Sequence, residues 1–203
     1  DPQERKRAIQ SILEKLSKVH HAKLYEDQFL LNEVNFLVEN PQGIAAPFDA
    51  EFLKLPLEVL TVSMARKQRI FGLVDKAGKV EPRFLAILDG ATSEKDKKII
   101  CKNYENILHA KLQDSLFFYR EDLKTRLEKK REELKTLIFV KDAGTMLERS
   151  DRLVSLAKKF QEDAGLRADE PSALESACYL SKADLLTQMV GEFPELQGII
   201  GKY

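Results

Sequence analysis

Two short apolar runs, Arg69 to Val74 and Arg83 to Leu88, constrain the fold of this 203-residue chain more than any other feature. The turn-forming residues Asp75 to Lys79 separate them, which predicts two strands joined as a β-hairpin. Because an isolated hairpin is marginal in water, its apolar face needs cover from flanking helices or from further strands. Elsewhere the apolar residues recur at steps of three and four, as on one face of a helix. The chain is therefore predicted to be α+β and mostly helical.

Helical spacing dominates the part of the chain before the hairpin. Apolar residues from Ile9 to Val19 predict a first helix, and those from Leu30 to Val38 predict a second. Pro41 ends the second helix, because its ring disfavours helical backbone at the residue before it. Residues Gln42 to Phe48 are predicted to form a loop. A third helix is predicted from Pro56 to about Lys67, since proline fits well in a first helical turn.

After the hairpin, from Ser93 onward, the pattern predicts helices alone. Ser93 and Asp96 have the spacing of a capping box, with an acid in place of the usual Glu or Gln. An apolar stripe then runs from Ile99 to Leu116. Four leucines continue it at steps close to the heptad seam of a coiled coil. They are Leu123, Leu127, Leu134 and Leu137.

The helical pattern is interrupted once, at Gly144-Thr145. A helix is predicted from about Glu148 to Ala164, and Pro171 opens another. We therefore predict two regions. Residues 1–92 form a mixed α+β region with the hairpin, and residues 93–203 form a helical region that is incomplete at its C-terminus.

The charge balance excludes one class of function. Lys plus Arg number 33 and Asp plus Glu number 33, so the formal net charge is zero. A protein held to nucleic acid mainly by bulk positive charge is therefore excluded, and a partner with phosphates would need a local basic face. No apolar run approaches the roughly 18 residues of a membrane span. The two cysteines lack zinc-type spacing, which favours reduced thiols and a cytoplasmic location.

Catalytic motifs are absent from the sequence. Histidine occurs only at His20, His21 and His109, and the adjacent pair would point in different directions on a helix. No phosphate-binding glycine loop and no zinc-protease motif is present. We predict no catalytic residue and no metal ligand in this chain.

The most charged segment runs from Arg120 to Lys135 and holds seven basic and five acidic residues. One interpretation is a solvated helix face with ion pairs between successive turns. The other is an RNA contact, in which the neighbouring aromatic residues Phe117 to Tyr119 stack on bases. The segment by itself leaves both open.

Four blocks, in order along the chain, resemble blocks of the bacterial glycyl-tRNA synthetase β subunit. The family patterns are FLxLPxEVL…SM…Q, ARLxDAxFFxxxDxK, GTL…DR and KADLxTxMVxEFPELQGxMG. The matching blocks are Phe52 to Leu60 with Ser63, Met64 and Gln68; Ala110 to Phe118 with Asp122 and Lys124; Gly144 to Met146 with Asp151 and Arg152; and Lys182 to Gly198. One block would be weak evidence, but four in family order identify the chain as an internal fragment of such a subunit. The start at Asp1-Pro2, without an initiator Met, also predicts a piece of a longer protein.

The resemblance implies a function. The family's enzyme is a heterotetramer of two α and two β subunits that joins glycine to its tRNA with ATP and Mg. Glycine activation belongs to the α subunit, and the β subunit recognises tRNA. The expected partners are thus tRNA-Gly and the α subunit, without a membrane or DNA. No cofactor is expected in this fragment itself.

The resemblance also implies that the helical region is a degenerate relative of the HD phosphohydrolases. Those enzymes bind metal through a His and a His-Asp pair. The pair's expected position reads Lys182-Ala183-Asp184 here, and the first His position reads Arg149. Neither Lys nor Arg offers a neutral imidazole nitrogen to a cation, so metal chemistry is expected to be lost.

A lost metal site can still serve as a surface for RNA phosphates. The basic residues expected to contact RNA are Lys111, Arg120, Lys124, Arg126, Arg149 and Lys182. Two rival hypotheses are a structural module that docks another subunit through the leucine seam, and an active HD-type phosphohydrolase. Departures from the family pattern, such as His109 where an Arg is expected, mark a divergent member.

Overall fold

The computed structural model describes residues 1–90, 93–165 and 173–203. Over these residues the fold is mostly helical α+β, as predicted. The chain forms two compact units, residues 1–117 and 118–203. The boundary predicted from the sequence lies between residues 92 and 93, and residue 92 is outside the described part of the chain. The units divide later, because much of the long helix that begins at Glu94 packs within the first unit.

The first unit is built on a four-stranded antiparallel sheet in the order β1-β3-β4-β2. Its strands are β1 (Lys23–Leu24), β2 (Pro41–Pro47), β3 (Ile70–Val74) and β4 (Val80–Asp89). Its helices are α1 (Pro2–Val19), α2 (Gln28–Leu37), α3 (Leu57–Gln68) and the first part of α4 (Glu94–Asp122). A short 3-10 turn, Ala50–Lys54, precedes α3.

The predicted hairpin is confirmed as β3 and β4. Its turn is stabilised by Asp75, whose carboxylate accepts the backbone N–H groups of Ala77 and Lys79 at 2.8 and 2.9 Å. Gly78 takes the left-handed backbone that the turn requires, with φ of 82°. The local chemistry of these residues is therefore enough to specify the turn.

Helices cover both faces of this hairpin. Leu73 and Leu85 belong to a buried cluster with Ile9 and Leu13 of α1. On the opposite face the Phe84 ring lies 6.2 Å from the ring of Tyr104 in α4. A sheet that is buried on both faces reads as continuous apolar runs, which explains why the hairpin is so visible in the sequence.

The predicted loop from Gln42 to Phe48 is wrong, because Pro41–Pro47 forms strand β2 along the edge of β4. Ile44 is the only β-branched residue in the segment, so strand propensity is weak there. Pairing with β4 supplies the hydrogen bonds, and the two prolines are tolerated because the strand lies at an edge. The strand is thus a product of tertiary contact.

Among its described residues, the second unit contains the end of α4, four further helices and a small two-stranded sheet. These elements are α5 (Leu127–Glu133), β5 (Ile138–Val140), β6 (Gly144–Thr145), α6 (Met146–Asp163), α7 (Ala173–Leu180) and α8 (Gln188–Glu192). Short 3-10 turns, Leu134–Thr136, Ala183–Leu186, Pro194–Leu196 and Ile200–Lys202, complete the described part. The predicted helix start at Pro171 lies outside the described residues.

The prediction of helices alone after Ser93 is wrong for the second unit, because strands β5 and β6 pair there. The sequence break at Gly144-Thr145 marks this place. Gly144 has a φ of 83°, and Thr145 and Glu148 form a capping box that starts α6. The break is therefore a strand-to-helix junction.

The predicted leucine seam is not continuous. Helix α4 ends at Asp122, and a turn follows in which the Thr125 N–H donates to the Asp122 carbonyl at 3.2 Å. Leu123 is 56% exposed, whereas Leu134 is fully buried. Because the turn rotates successive leucines to different sides, the prediction of a coiled-coil seam from Leu123 to Leu137 is wrong.

No helix within the described residues is long and apolar enough to cross a membrane.

Gly43 in β2 provides a test of the packing between β2 and α1. A Cβ at this position would lie 2.6 Å from Leu16 Cδ1 and would also overlap Ile12. We expect Gly43→Ala to lower the free energy of unfolding by about 1–3 kcal/mol, since overpacking forces side chains to shift. Urea denaturation followed by circular dichroism measures this change.

Gly191→Ala is the matched control. A Cβ there meets no heavy atom within 4 Å, and the residue lies in α8. Stability should be unchanged or slightly raised by this substitution. Equal stability of the two variants would contradict the close approach of α1 to β2.

Candidate nucleic-acid interface

A buried carboxylate, Asp122, ties the end of α4 to the start of α8. Its oxygens accept the N–H groups of Gln188 and Met189 at 3.0 and 2.9 Å. Lys130 of α5 donates to the same carboxylate at 3.2 Å and to the Leu186 carbonyl at 3.3 Å. The negative charge is thus neutralised inside the protein, as a buried charge requires.

A buried guanidinium, Arg131, plays the same part between α5, α6 and α7. Its Nε donates to the Tyr179 carbonyl at 2.7 Å, and the group lies 3.9 Å from the centre of the Tyr179 ring. Its Nη2 also donates to the Asp151 carboxylate. Arg131 belongs to the charged run of the sequence, but the structure uses it to hold helices together.

Beside this frame lies an open cavity of about 310 Å³, which we call the tyrosine cavity. Tyr119 and Tyr203 are its two aromatic residues, and Arg126, Lys130 and Lys202 are its basic ones. The remaining lining residues are Asp122, Leu123, Thr125, Leu127, Glu128, Leu180, Thr187, Ile200 and Gly201. Burial, and to a smaller extent the neighbouring Tyr203, raise the pKa of the Tyr119 phenol. That phenol therefore stays neutral and able to donate a hydrogen bond at physiological pH.

A second cavity of about 330 Å³ adjoins the first, and the two share Leu127, Leu180 and Gly201. Lys182 and Asp184 line it. Asp184 is buried and accepts the Gly198 N–H at 2.5 Å. Its carboxylate is thus committed to a backbone contact.

The structure brings two of the six predicted RNA-binding residues, Arg126 and Lys182, to these adjoining cavities. The Arg126 side chain is 89% exposed, and its Nε lies 3.7 Å from a Glu128 oxygen. Lys124 is exposed at the α4–α5 turn, where it pairs with Glu121. Arg120 is exposed in the last turn of α4.

The other two predicted residues lie elsewhere. Arg149 is in α6, and its guanidinium carbon lies 4.6 Å from the centre of the Phe139 ring of β5. Lys111 is exposed on α4 but belongs to the first unit. The six residues therefore do not form one cluster within a unit.

Four aromatic or basic residues of the tyrosine cavity, Tyr119, Lys130, Lys202 and Tyr203, were not among the six. Lys130 stands in the charged run, so its composition was a visible signal. Tyr119 was visible as part of an aromatic cluster. Tyr203 lies far along the chain and carried no signal, because only folding brings residues 119 and 203 to one cavity.

Lys182 and Arg149 are the two residues predicted to stand at the positions of HD metal ligands. Lys182 has left-handed backbone with φ of 71°, and Arg149 is stacked on Phe139. Across residues 1–90, 93–165 and 173–203, no group of three His, Cys, Asp or Glu side chains is arranged to hold a metal ion. These positions instead present cations.

Comparison with known proteins identifies the family. The family model described as "Glycyl-tRNA synthetase beta subunit" matches residues 1–203. The chain belongs to the glycyl-tRNA synthetase β subunit family. The family resemblance found in the sequence is thereby confirmed.

Individual relatives agree with this family membership. The chain is 40% identical over 202 residues to the glycine–tRNA ligase β subunit of Geobacter metallireducens and 41% identical over 202 residues to that of Geotalea daltonii, covering 100% of this chain and 29% of each relative. It is 42% identical over 181 residues to the Myxococcus xanthus subunit, covering 89% of this chain and 25% of the relative. The chain thus spans less than a third of the length of these β subunits.

The family's sequence blocks build the frame of the second unit. Asp122 of the second block accepts the start of α8, and Asp184 of the last block accepts Gly198 of the same block. In this member of the glycyl-tRNA synthetase β subunit family, both carboxylates are structural. The exposed Arg126 and the partly buried Lys182 line the same cavities.

Asp122→Ala tests this frame. Removing the carboxylate leaves the N–H groups of Gln188 and Met189 without their acceptor, and it leaves the Lys130 ammonium with the Leu186 carbonyl but without a neutralising charge. We expect the free energy of unfolding of the second unit to fall by about 3–5 kcal/mol, the scale for breaking a buried charge pair. Urea denaturation measures the fall, with Asp114→Ala as the control because Asp114 is exposed on the same helix. Equal stability of the two variants would contradict the structural role of Asp122.

Proposed function

We propose that this chain is a tRNA-contacting and supporting part of the β subunit of glycine–tRNA ligase. The whole enzyme would pair it with the α subunit in the cytoplasm and would use ATP and Mg to attach glycine to tRNA-Gly. Family membership supports the reaction, because the relatives are named as β subunits of that ligase. The observation that supports RNA contact is the combination of exposed cations with two tyrosines at one cavity.

The charge distribution favours a local contact. The chain has no net charge, so bulk attraction to RNA would be weak. Arg126 and Lys124 project from the α4–α5 turn, each beside a single carboxylate at an exposed position. Exposed ion pairs contribute little to the free energy of folding, so an RNA phosphate can replace the carboxylate with little loss of stability.

Arg126 and Lys182 are the first candidates for phosphate contact, and Arg120 and Lys124 flank them along the chain. Arg149 and Lys111 stay predictions at separate places. Arg149 retains exposed surface beside an aromatic ring, a setting that also suits RNA. Lys111 would contact a different part of the RNA, if the contact is made through the first unit.

A salt titration tests the proposed function. In fluorescence anisotropy of labelled tRNA-Gly, the logarithm of the binding constant should fall linearly with the logarithm of the salt concentration. Tighter binding of tRNA-Gly than of a non-cognate tRNA would place recognition within these residues, and equal binding would reduce it to backbone contact. Absence of binding by the folded chain would contradict the proposal.

Charge-removing variants locate the contact. We expect Arg126→Gln and Lys182→Asn each to weaken tRNA binding several-fold and to reduce the salt slope by about one unit. Asn is chosen at position 182 because it tolerates left-handed backbone. Lys76→Gln, in the exposed β3–β4 turn of the first unit, is the control and should change neither quantity. Unchanged affinity and slope in both test variants would show that these two residues are not contacts.

A second candidate function is docking of a protein partner without RNA contact. The observation that favours it is a set of exposed apolar side chains on β5 and α6: Ile138, Phe139, Val140, Leu156 and Phe160. Sedimentation velocity with and without the α subunit tests it. Phe160→Ser should weaken an association made by this surface, and an unchanged association would exclude that surface from the contact.

A further inference from the structure

The tyrosine cavity has the features of a site for a single nucleotide. We propose that it binds one unstacked nucleotide, with the base against Tyr119 and Tyr203 and the phosphate at Arg126 and Lys202. The inference rests on the proposed function, in which the nucleotide is part of an RNA. A free nucleoside monophosphate carries the same chemistry and is the other possible source.

The size of the cavity suits one nucleotide. Its volume of about 310 Å³ lies at the lower end of the range for small-molecule sites. Leu127, Leu180 and Ile200 supply apolar surface to its lining. An aromatic base can cover such surface, whereas a hydrated inorganic ion cannot.

The two tyrosines provide the faces on which a base can stack. Tyr203 is 43% exposed and Tyr119 is half-buried, so both offer ring surface to a ligand. Stacking on an aromatic ring tolerates any base, because every base has a π face. The phenol hydroxyls add polar contacts at the edge of the base.

The charges at the cavity favour an anion. Of its two acids, Asp122 is occupied by two N–H groups and Lys130, and Glu128 pairs with Arg126 across 3.7 Å. Lys202 is the third basic residue of the lining, and its Nζ lies over the Tyr203 ring, 4.7 Å from the ring centre, and donates to the Tyr203 hydroxyl at 3.3 Å. A cation directly beside an aromatic ring matches a nucleotide, in which a phosphate lies close to a base.

Two measurements on the whole 203-residue chain test the inference. The first is NMR titration with AMP, CMP, GMP and UMP, observing the tyrosine ring resonances. The rings of Tyr119 and Tyr203 should shift, and those of Tyr25 in the first unit should not. The second is anisotropy of labelled tRNA-Gly with the variant Tyr203→Leu, which keeps an apolar side chain but removes the ring.

We expect Tyr203→Leu to weaken tRNA binding about tenfold at an unchanged salt slope, since stacking is uncharged. Phe160→Leu is the matched control, because Phe160 is an exposed aromatic residue of the same unit outside the cavity. Lys202→Gln should weaken binding less and reduce the slope, and Lys159→Gln on α6 is its control. Circular dichroism checks that each variant is folded. If Tyr203→Leu does not fold, the comparison of Lys202→Gln with Lys159→Gln still tests the site.

The outcomes separate this inference from the proposed function. Salt-dependent tRNA binding with no effect of either cavity variant and no mononucleotide shift would overturn the nucleotide site and leave the proposed function standing. Mononucleotide shifts without tRNA binding would support the site, assign it to free nucleotides and overturn the proposed function. Shifts together with the tenfold loss would support both.

Discussion

The second unit depends on a carboxylate that is removed from water. Asp122 accepts two N–H groups at the start of α8 and the ammonium of Lys130, so one side chain joins α4, α5 and α8. Such a group destabilises a protein strongly if any partner is lost. The position of the Asp122 side chain is therefore held by several contacts at once, and the walls of the adjacent tyrosine cavity are defined. The shape of the candidate site therefore depends on the ion pair between Asp122 and Lys130.

The first unit is organised by a different constraint, the burial of a sheet on both faces. Helix α1 covers Leu85, and α4 covers Phe84 on the other face. This arrangement leaves only the sheet edges to be completed, and β2 completes one of them. The core of the unit is thus a packed scaffold built around its sheet. Five of the six residues predicted to contact RNA belong to the second unit, and Lys111 belongs to the first.

Neutral overall charge and RNA contact are compatible if charge is used locally. Acidic and basic residues alternate along Arg120 to Lys135, but the fold sorts them. Arg131 and Lys130 are turned inward to pair with Asp151 and Asp122, whereas Lys124 and Arg126 stay at the surface. The segment therefore holds cations that pair between helices inside the unit and exposed cations at the α4–α5 turn. The proposed RNA contact concerns only the exposed ones.

Helices α1 to α4 and α6, the β3–β4 hairpin and the family follow from the sequence alone, because each depends on local spacing or on ordered blocks of residues. The helix predicted from Pro171 to Phe193 is wrong in its described part, because α7 ends at Leu180 and α8 begins at Gln188. The sequence did not determine β2, whose weak strand propensity is overcome only by pairing with β4. It also did not determine the break at Leu123, since the two backbone N–H groups bound by the buried Asp122 at the end of α4, those of Gln188 and Met189, are more than 60 residues away. The candidate site shows the same division. Arg126 and Lys182 were visible as cations, but only tertiary structure brought Tyr203 to Tyr119, because side chains 84 positions apart meet through chain folding and leave no periodic trace in sequence.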